Sequence, residues 1–118
     1  MKSYNYHMIS MPAANTHVEF VVDDFSILRN VRLWSYRTLI LDIGVDSDVD
    51  VLHCCVNYAV DCSKTTARHV NRFTTELFGD NKYFFFKHCK VGETYPLPGF
   101  MQAVNMFEHY VNVGKAIR

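Results

Sequence analysis

Two long runs of alternating side chains, joined by an acidic turn, constrain this chain more than any other feature. In residues 34–45, Leu39, Leu41, Ile43 and Val45 alternate with Tyr36, Thr38, Ile40 and Asp42. In residues 49–60, Leu52, Cys54, Val56, Tyr58 and Val60 alternate with Val49, Val51, His53, Cys55, Asn57 and Ala59. Successive side chains of an extended chain point to opposite faces, so a period of two specifies strands. Residues 46–48 form the polar turn, and the pair reads as an antiparallel hairpin. Gly44 admits a bend near the end of the first run.

The flanking sequence completes the expectation. Residues 17–22 read as a strand with Val18, Phe20 and Val22 on one face. Asp23 and Asp24 end it or cap a helical turn over 25–30. Residues 82–91 read as a further strand, apolar on both faces through Tyr83, Phe84, Phe85 and Phe86. Pro96 and Pro98 make 95–99 a rigid loop outside any ladder. The period changes to 3.6 from Thr66, with Ala67, Val70, Phe73 and Leu77 on one face. Asp61, Ser63 and Thr65 are candidate N-caps, and Gly79 suits the position just past the helix end. Phe100, Val104, Phe107 and Val111 mark a second helix. The expected fold is a single α+β domain over residues 1–118. Its antiparallel sheet has about four strands (17–22, 34–45, 49–60 and 82–91), and helices 65–78 and 100–113 pack on one face. Its uncovered apolar surface would suit a homodimer.

Composition narrows the function classes. At 49% hydrophobic and 20% charged residues, the chain is not of the disordered type. Its formal net charge is zero, which argues against bulk coating of nucleic acid. That zero conceals an asymmetry. In residues 1–61 the acids Glu19, Asp23, Asp24, Asp42, Asp46, Asp48, Asp50 and Asp61 outnumber Lys2, Arg29, Arg32 and Arg37, and in residues 62–118 bases predominate. Residues 1–11 hold one Lys and no apolar run, so no secretory signal is expected. No apolar stretch is long enough to cross a membrane. A cytoplasmic setting, with the four cysteines as free thiols, is the expectation.

Several groupings are candidates for chemistry. Lys64, Arg68 and Arg72 recur every four residues and would stack along one side of a helix, with His69 and Asn71 beside them. Such a stripe suits phosphates or an acidic protein surface. Trp34, Tyr36 and Arg37 combine the residue types that dominate binding hot spots, although the alternation places Arg37 on the core face with Leu39 and Leu41. Asp46, Asp48 and Asp50 resemble the start of a calcium loop. The sixth and twelfth positions, Val51 and Asn57, are not the required Gly and Glu. His53-Cys54 and His88-Cys89, with Cys62, offer metal-binding residue types, but neighbours on a strand point apart. No established catalytic motif is present, so no catalytic residue, metal or cofactor is assigned.

Ser35-Tyr36-Arg37-Thr38, followed by Thr65-Thr66-Ala67-Arg68-His69-Val70-Asn71-Arg72-Phe73, resembles a small domain of phages and mobile elements of Gram-positive bacteria. The resemblance covers about residues 34–78. It implies a hairpin followed by a helix, in a protein acting inside a bacterial cell. The expected function is non-enzymatic: binding and occluding a host or defence protein through Lys64, Arg68, His69, Arg72, Trp34, Tyr36 and Arg37. The alternatives are a nucleic-acid-binding regulator using helix residues 64–72, and a small enzyme with an unfamiliar site.

Overall fold

Alternation builds strands here, and there are more of them than the sequence pattern marks. The computed structural model describes residues 1–117. In chain order the elements are β1 (Lys2–His7), β2 (Thr16–Val22), β3 (Leu28–Ser35), β4 (Thr38–Val45), β5 (Leu52–Val56), α1 (Lys64–Phe78), α2 (Tyr83–Lys87), β6 (Thr94–Leu97) and α3 (Phe100–Val113). The strands form one six-stranded antiparallel sheet in the order β1-β2-β3-β4-β5-β6. The link from β5 to β6 carries α1 and α2. The fold is α+β, with its helices packed against the sheet.

One face of the sheet is apolar because its alternate positions are. Val18, Phe20, Val31, Leu33, Leu41, Ile43, Leu52, Cys54 and Val56 are buried there. They form one core with Val70, Phe73 and Leu77 of α1 and Ala103, Met106 and Tyr110 of α3. Phe20 anchors the contact, its ring 5.3 Å from that of Tyr110 and 5.0 Å from that of Phe107. The two helices follow their sequence signals closely. Ser63 Oγ accepts from Thr66 N at 3.0 Å, and Gly79 takes φ 70 just past the last turn of α1.

Four expectations are corrected. Residues 34–45 are not one strand, because the chain reverses at Tyr36-Arg37 and Ser35 pairs with Thr38. β3 therefore begins at Leu28, and of the two readings of Asp23-Asp24 the structure takes the strand end and not the helical turn. A bulge at Ile40 shifts the register, so Leu33 faces Leu41 while Trp34 faces Leu39. Ile40 and Leu41 are both buried, and Leu39 moves to the helix-free face beside Trp34. The run over 49–60 shortens to β5, because Asn57 N and Tyr58 N both turn to Ile40 O.

Residues 82–91 are not a strand. The aromatic run winds into α2, where Asn81 Oδ1 accepts from Tyr83 N at 2.8 Å. The outer edge of β5 is already taken by β6, and the run packs against α1 as a helix instead of adding a strand beyond β6. Coiling places Phe86 against Phe78 and leaves Phe84 exposed. Finally, Tyr95 and Pro96 do join the ladder. Pro96 pairs with His53 on an edge strand, where a missing N–H is tolerated on the outward side.

An antiparallel meander returns at alternate ends. Residues 8–15, the Tyr36-Arg37 turn and residues 57–63 lie at one end, here called the Tyr36 end. Residues 23–27, residues 46–51 and Gly99 lie at the other, the Asp48 end.

Candidate functional site

The Tyr36 end gathers both groups of residues singled out in the sequence. Tyr36 and Arg37 are the whole of a two-residue hairpin loop. Tyr36 sits at φ 55, a left-handed conformation unusual for a bulky residue. Its surroundings hold it there. Tyr36 N donates to Asn15 O at 2.6 Å, and Thr16 Oγ1 donates to Trp34 O at 2.7 Å. On the helix side, Ser35 Oγ and His69 Nδ1 share a hydrogen bond of 2.7 Å, and the Tyr36 and His69 rings lie 6.4 Å apart.

Helix α1 thus runs past this end of the sheet rather than being remote from it. Further along, Glu76 Oε1 accepts from Ser10 N at 2.8 Å, and Glu76 Oε2 accepts from the Tyr110 hydroxyl. Arg72 lies one turn beyond His69 on the same side of the helix. Lys64, Arg68 and Arg72 are exposed, as is Arg37. Among the described residues, none of these cations forms an ion pair. Arg37 is a surface residue at a turn, not a core-facing one as the alternation implied.

His69 differs from its neighbours. It is buried, so it supports Tyr36 from beneath instead of meeting a partner. Burial holds its pKa below the ordinary histidine value, and the positive charge of Arg68 adds to the effect.

Trp34 occupies the helix-free face. Its indole Nε1 donates to Glu19 Oε1 at 2.9 Å, and its ring stacks on His17 at 5.7 Å and 6°. Arg32 approaches Glu19 at 3.6 Å and Asp42 at 3.2 Å, while Asn30 Nδ2 donates to Asp42 Oδ1 at 2.8 Å. This polar row crosses β2, β3 and β4. Burial alone would raise the Glu19 pKa, but hydrogen bonds from Ser3 and Trp34 and the Arg32 charge outweigh it, so the net shift is downward. The His17 pKa is also lowered, chiefly by burial.

Two shallow clefts flank the tip. One, of about 310 Å³, is bordered by His7, Ala14, His17, Tyr36, Arg37 and Ile117. The other, of about 290 Å³, adds Asn5, Glu19 and Trp34. Sequence reasoning missed His7, Asn15 and His17. Only strand register could have found them, since His17 pairs with Trp34 across β2 and β3.

The remaining candidates lie apart from this end. Cys54 is in the core, and burial pushes its thiol up to about 12. Burial raises Cys89 as well, so neither thiol is activated as a nucleophile. His53 is exposed on the opposite face from Cys54. Among the described residues, no three His, Cys, Asp or Glu side chains converge as metal ligands. Asp46 Oδ1 accepts from Asp48 N and Asp50 Oδ1 from Phe100 N, which shapes the β4–β5 turn and ties it to the start of α3. No described helix is long and apolar enough to cross a membrane. Comparisons with protein-family models, curated proteins and solved structures find no match to this chain.

Proposed function

We propose that this protein is a small non-enzymatic binding module that docks an acidic protein surface through its Tyr36 end. One observation carries the reading. An exposed tyrosine is held in a strained backbone conformation by buried supports, amid arginines that have no ion-pair partner among the described residues. Strain of this kind costs of order 1–3 kcal/mol and persists where the surroundings over-determine it, often at functional positions. Tyr and Arg are also the side chains that supply most binding energy at interfaces. Tyr36 contributes a rigid ring, Arg37, Arg68 and Arg72 steer an acidic partner, and the buried His69 keeps the tip in place. In the setting that the sequence resemblance implies, the partner is a host or defence protein, and binding acts by occlusion.

Affinity capture from nuclease-treated bacterial lysate tests this. Wild-type bait should retain a partner that Arg68→Glu/Arg72→Glu and Tyr36→Ala baits lose, with all three baits folded. A partner retained equally by all three would move the interface elsewhere. Binding to labelled DNA or RNA with a steep loss between low and physiological salt would replace the protein-docking reading with a nucleic-acid one.

A further inference from the structure

The Asp48 end is the electrostatic counterpart of the Tyr36 end. Asp24, Asp48 and Asp50 are exposed there, beside the half-buried Asp23 and Asp46. Their opposing charges are Lys2, Arg29 (which pairs with Asp23 at 2.8 Å) and the Met1 amine (which pairs with Asp24 at 3.3 Å). Asp46, Asp48 and Asp50 have no ion-pair partner among the described residues. At the Tyr36 end, Arg37, Lys64, Arg68, Arg72, Lys90 and Lys115 stand against Asp61, Glu76 and Glu93. Each end therefore keeps an excess of one sign. The eight residues of β4 separate the ends by about 27 Å. That exceeds the screening length of about 8 Å at physiological salt, so the two excesses do not cancel within one molecule.

Shape follows the same polarity. At the Asp48 end, Phe25 is 85% exposed, the most exposed large hydrophobic side chain among the described residues. Its loop is rigid: Asp23 Oδ1 accepts from Phe25 N at 2.8 Å and Ile27 N at 3.0 Å, and Asp23 Oδ2 accepts from Arg29 Nε at 2.8 Å. At the Tyr36 end lies the cleft bordered by Tyr36, Ala14 and Ile117. A preorganised apolar knob within acidic surroundings thus faces away from a cleft in basic surroundings, whose lining mixes Ala14, Ile117 and the Tyr36 ring with polar side chains including His7, His17 and Arg37.

We infer that the protein associates with a second copy of itself head to tail, the Asp48 end of one copy seated on the Tyr36 end of the next, with Phe25 in the cleft beside Tyr36. This rests on the reading of the Tyr36 end as a docking surface. The contact joins two different patches, so it repeats into chains or rings instead of closing as a two-fold dimer. A foreign acidic partner would compete with the neighbouring copy for the same surface.

Sedimentation velocity over a protein concentration series is the test, at about 10 mM and about 500 mM salt, where screening differs several-fold. The wild type should form a ladder of species at low salt that collapses to monomer at high salt. Asp46→Lys/Asp48→Lys and Arg68→Glu/Arg72→Glu should each be monomeric alone. Mixed, they should associate again, since each then presents the charge that the other lacks. Phe25→Ser should weaken assembly by about tenfold or more, on the scale of one buried aromatic. A wild type that stays monomeric to about 1 mM at low salt overturns the inference, as does assembly that survives both charge reversals. A monomeric protein that still captures a partner through Arg68 and Arg72 rejects self-association alone. A monomeric protein that captures nothing rejects the docking surface as well.

Discussion

The two faces of the sheet are built from the same strands and do opposite work. In β3, Val31, Leu33 and Ser35 point towards the helices, while Arg32 and Trp34 point away from them. The covered face is a continuous apolar layer closed by α1 and α3. The helix-free face is a row of polar groups, in which Trp34 and Asn30 donate to Glu19 and Asp42 while Arg32 ion-pairs with both carboxylates and leaves its buried Nε without a hydrogen-bond partner. Stability resides in the first, because apolar burial is what folding mainly gains. The second can change more cheaply, since half-exposed polar pairs contribute little net free energy.

Truncation should separate the faces most clearly. Phe20→Ala, in contact with Tyr6, Phe107 and Tyr110, should lower unfolding free energy by about 3–5 kcal/mol in a denaturant titration. Asp42→Ala removes the partner of both Arg32 and Asn30, yet its expected cost in the same titration is only about 1–2 kcal/mol. A larger loss from Asp42 than from Phe20 would invert the comparison.

Histidines on each face sharpen it further through pH. His69 beneath the tip and His17 on the helix-free face both have folded-state pKa values below the ordinary histidine value, with burial as the leading cause. The unfolded chain therefore binds more protons than the folded one just below about pH 6.5, and stability rises with pH across that window. Denaturant midpoints should fall as pH drops from about 7 towards 5. His69→Gln and His17→Gln should each flatten part of that fall, and an unchanged slope in both would remove the assignment.

The smallest expected effect on stability is at the tip. Tyr36→Gly relieves a positive φ but loosens the unfolded chain, and the two terms oppose each other. Its stability should change by less than about 1 kcal/mol, while partner capture and self-association both decline. A variant that unfolds instead would make Tyr36 a structural residue.

Legibility in the sequence followed how local the cause was. α1 and α3 were readable because their apolar spacing and end signals, Ser63 and Gly79, act within a turn or two. β2 and the pairing of β4 with β5 were readable from alternation. The reversal at Tyr36-Arg37 was not. It uses neither Gly, Asn nor Pro, and support from Asn15 and His69 substitutes for turn chemistry. The aromatic run of α2 has strong strand propensity, which yielded to the packing of Phe86 into the core against Phe78 of α1. β1 was hidden in a polar segment because its outer positions face solvent and only Tyr6 is buried within it.

The candidate site divides in the same way. Lys64, Arg68 and Arg72 were recognisable as one exposed helical stripe, and Trp34, Tyr36 and Arg37 as a cluster along the chain. Their meeting was not recognisable, because it depends on α1 crossing the end of the sheet and on His69 reaching Ser35. By itself, the sequence determined which residues are apolar, their local period and the separation of charge between its halves. Tertiary structure decided where the chain reverses, which aromatic run coils, and that opposite charges gather at opposite ends. Those outcomes depend on edges and supports supplied by residues distant in sequence, and no local pattern encodes them.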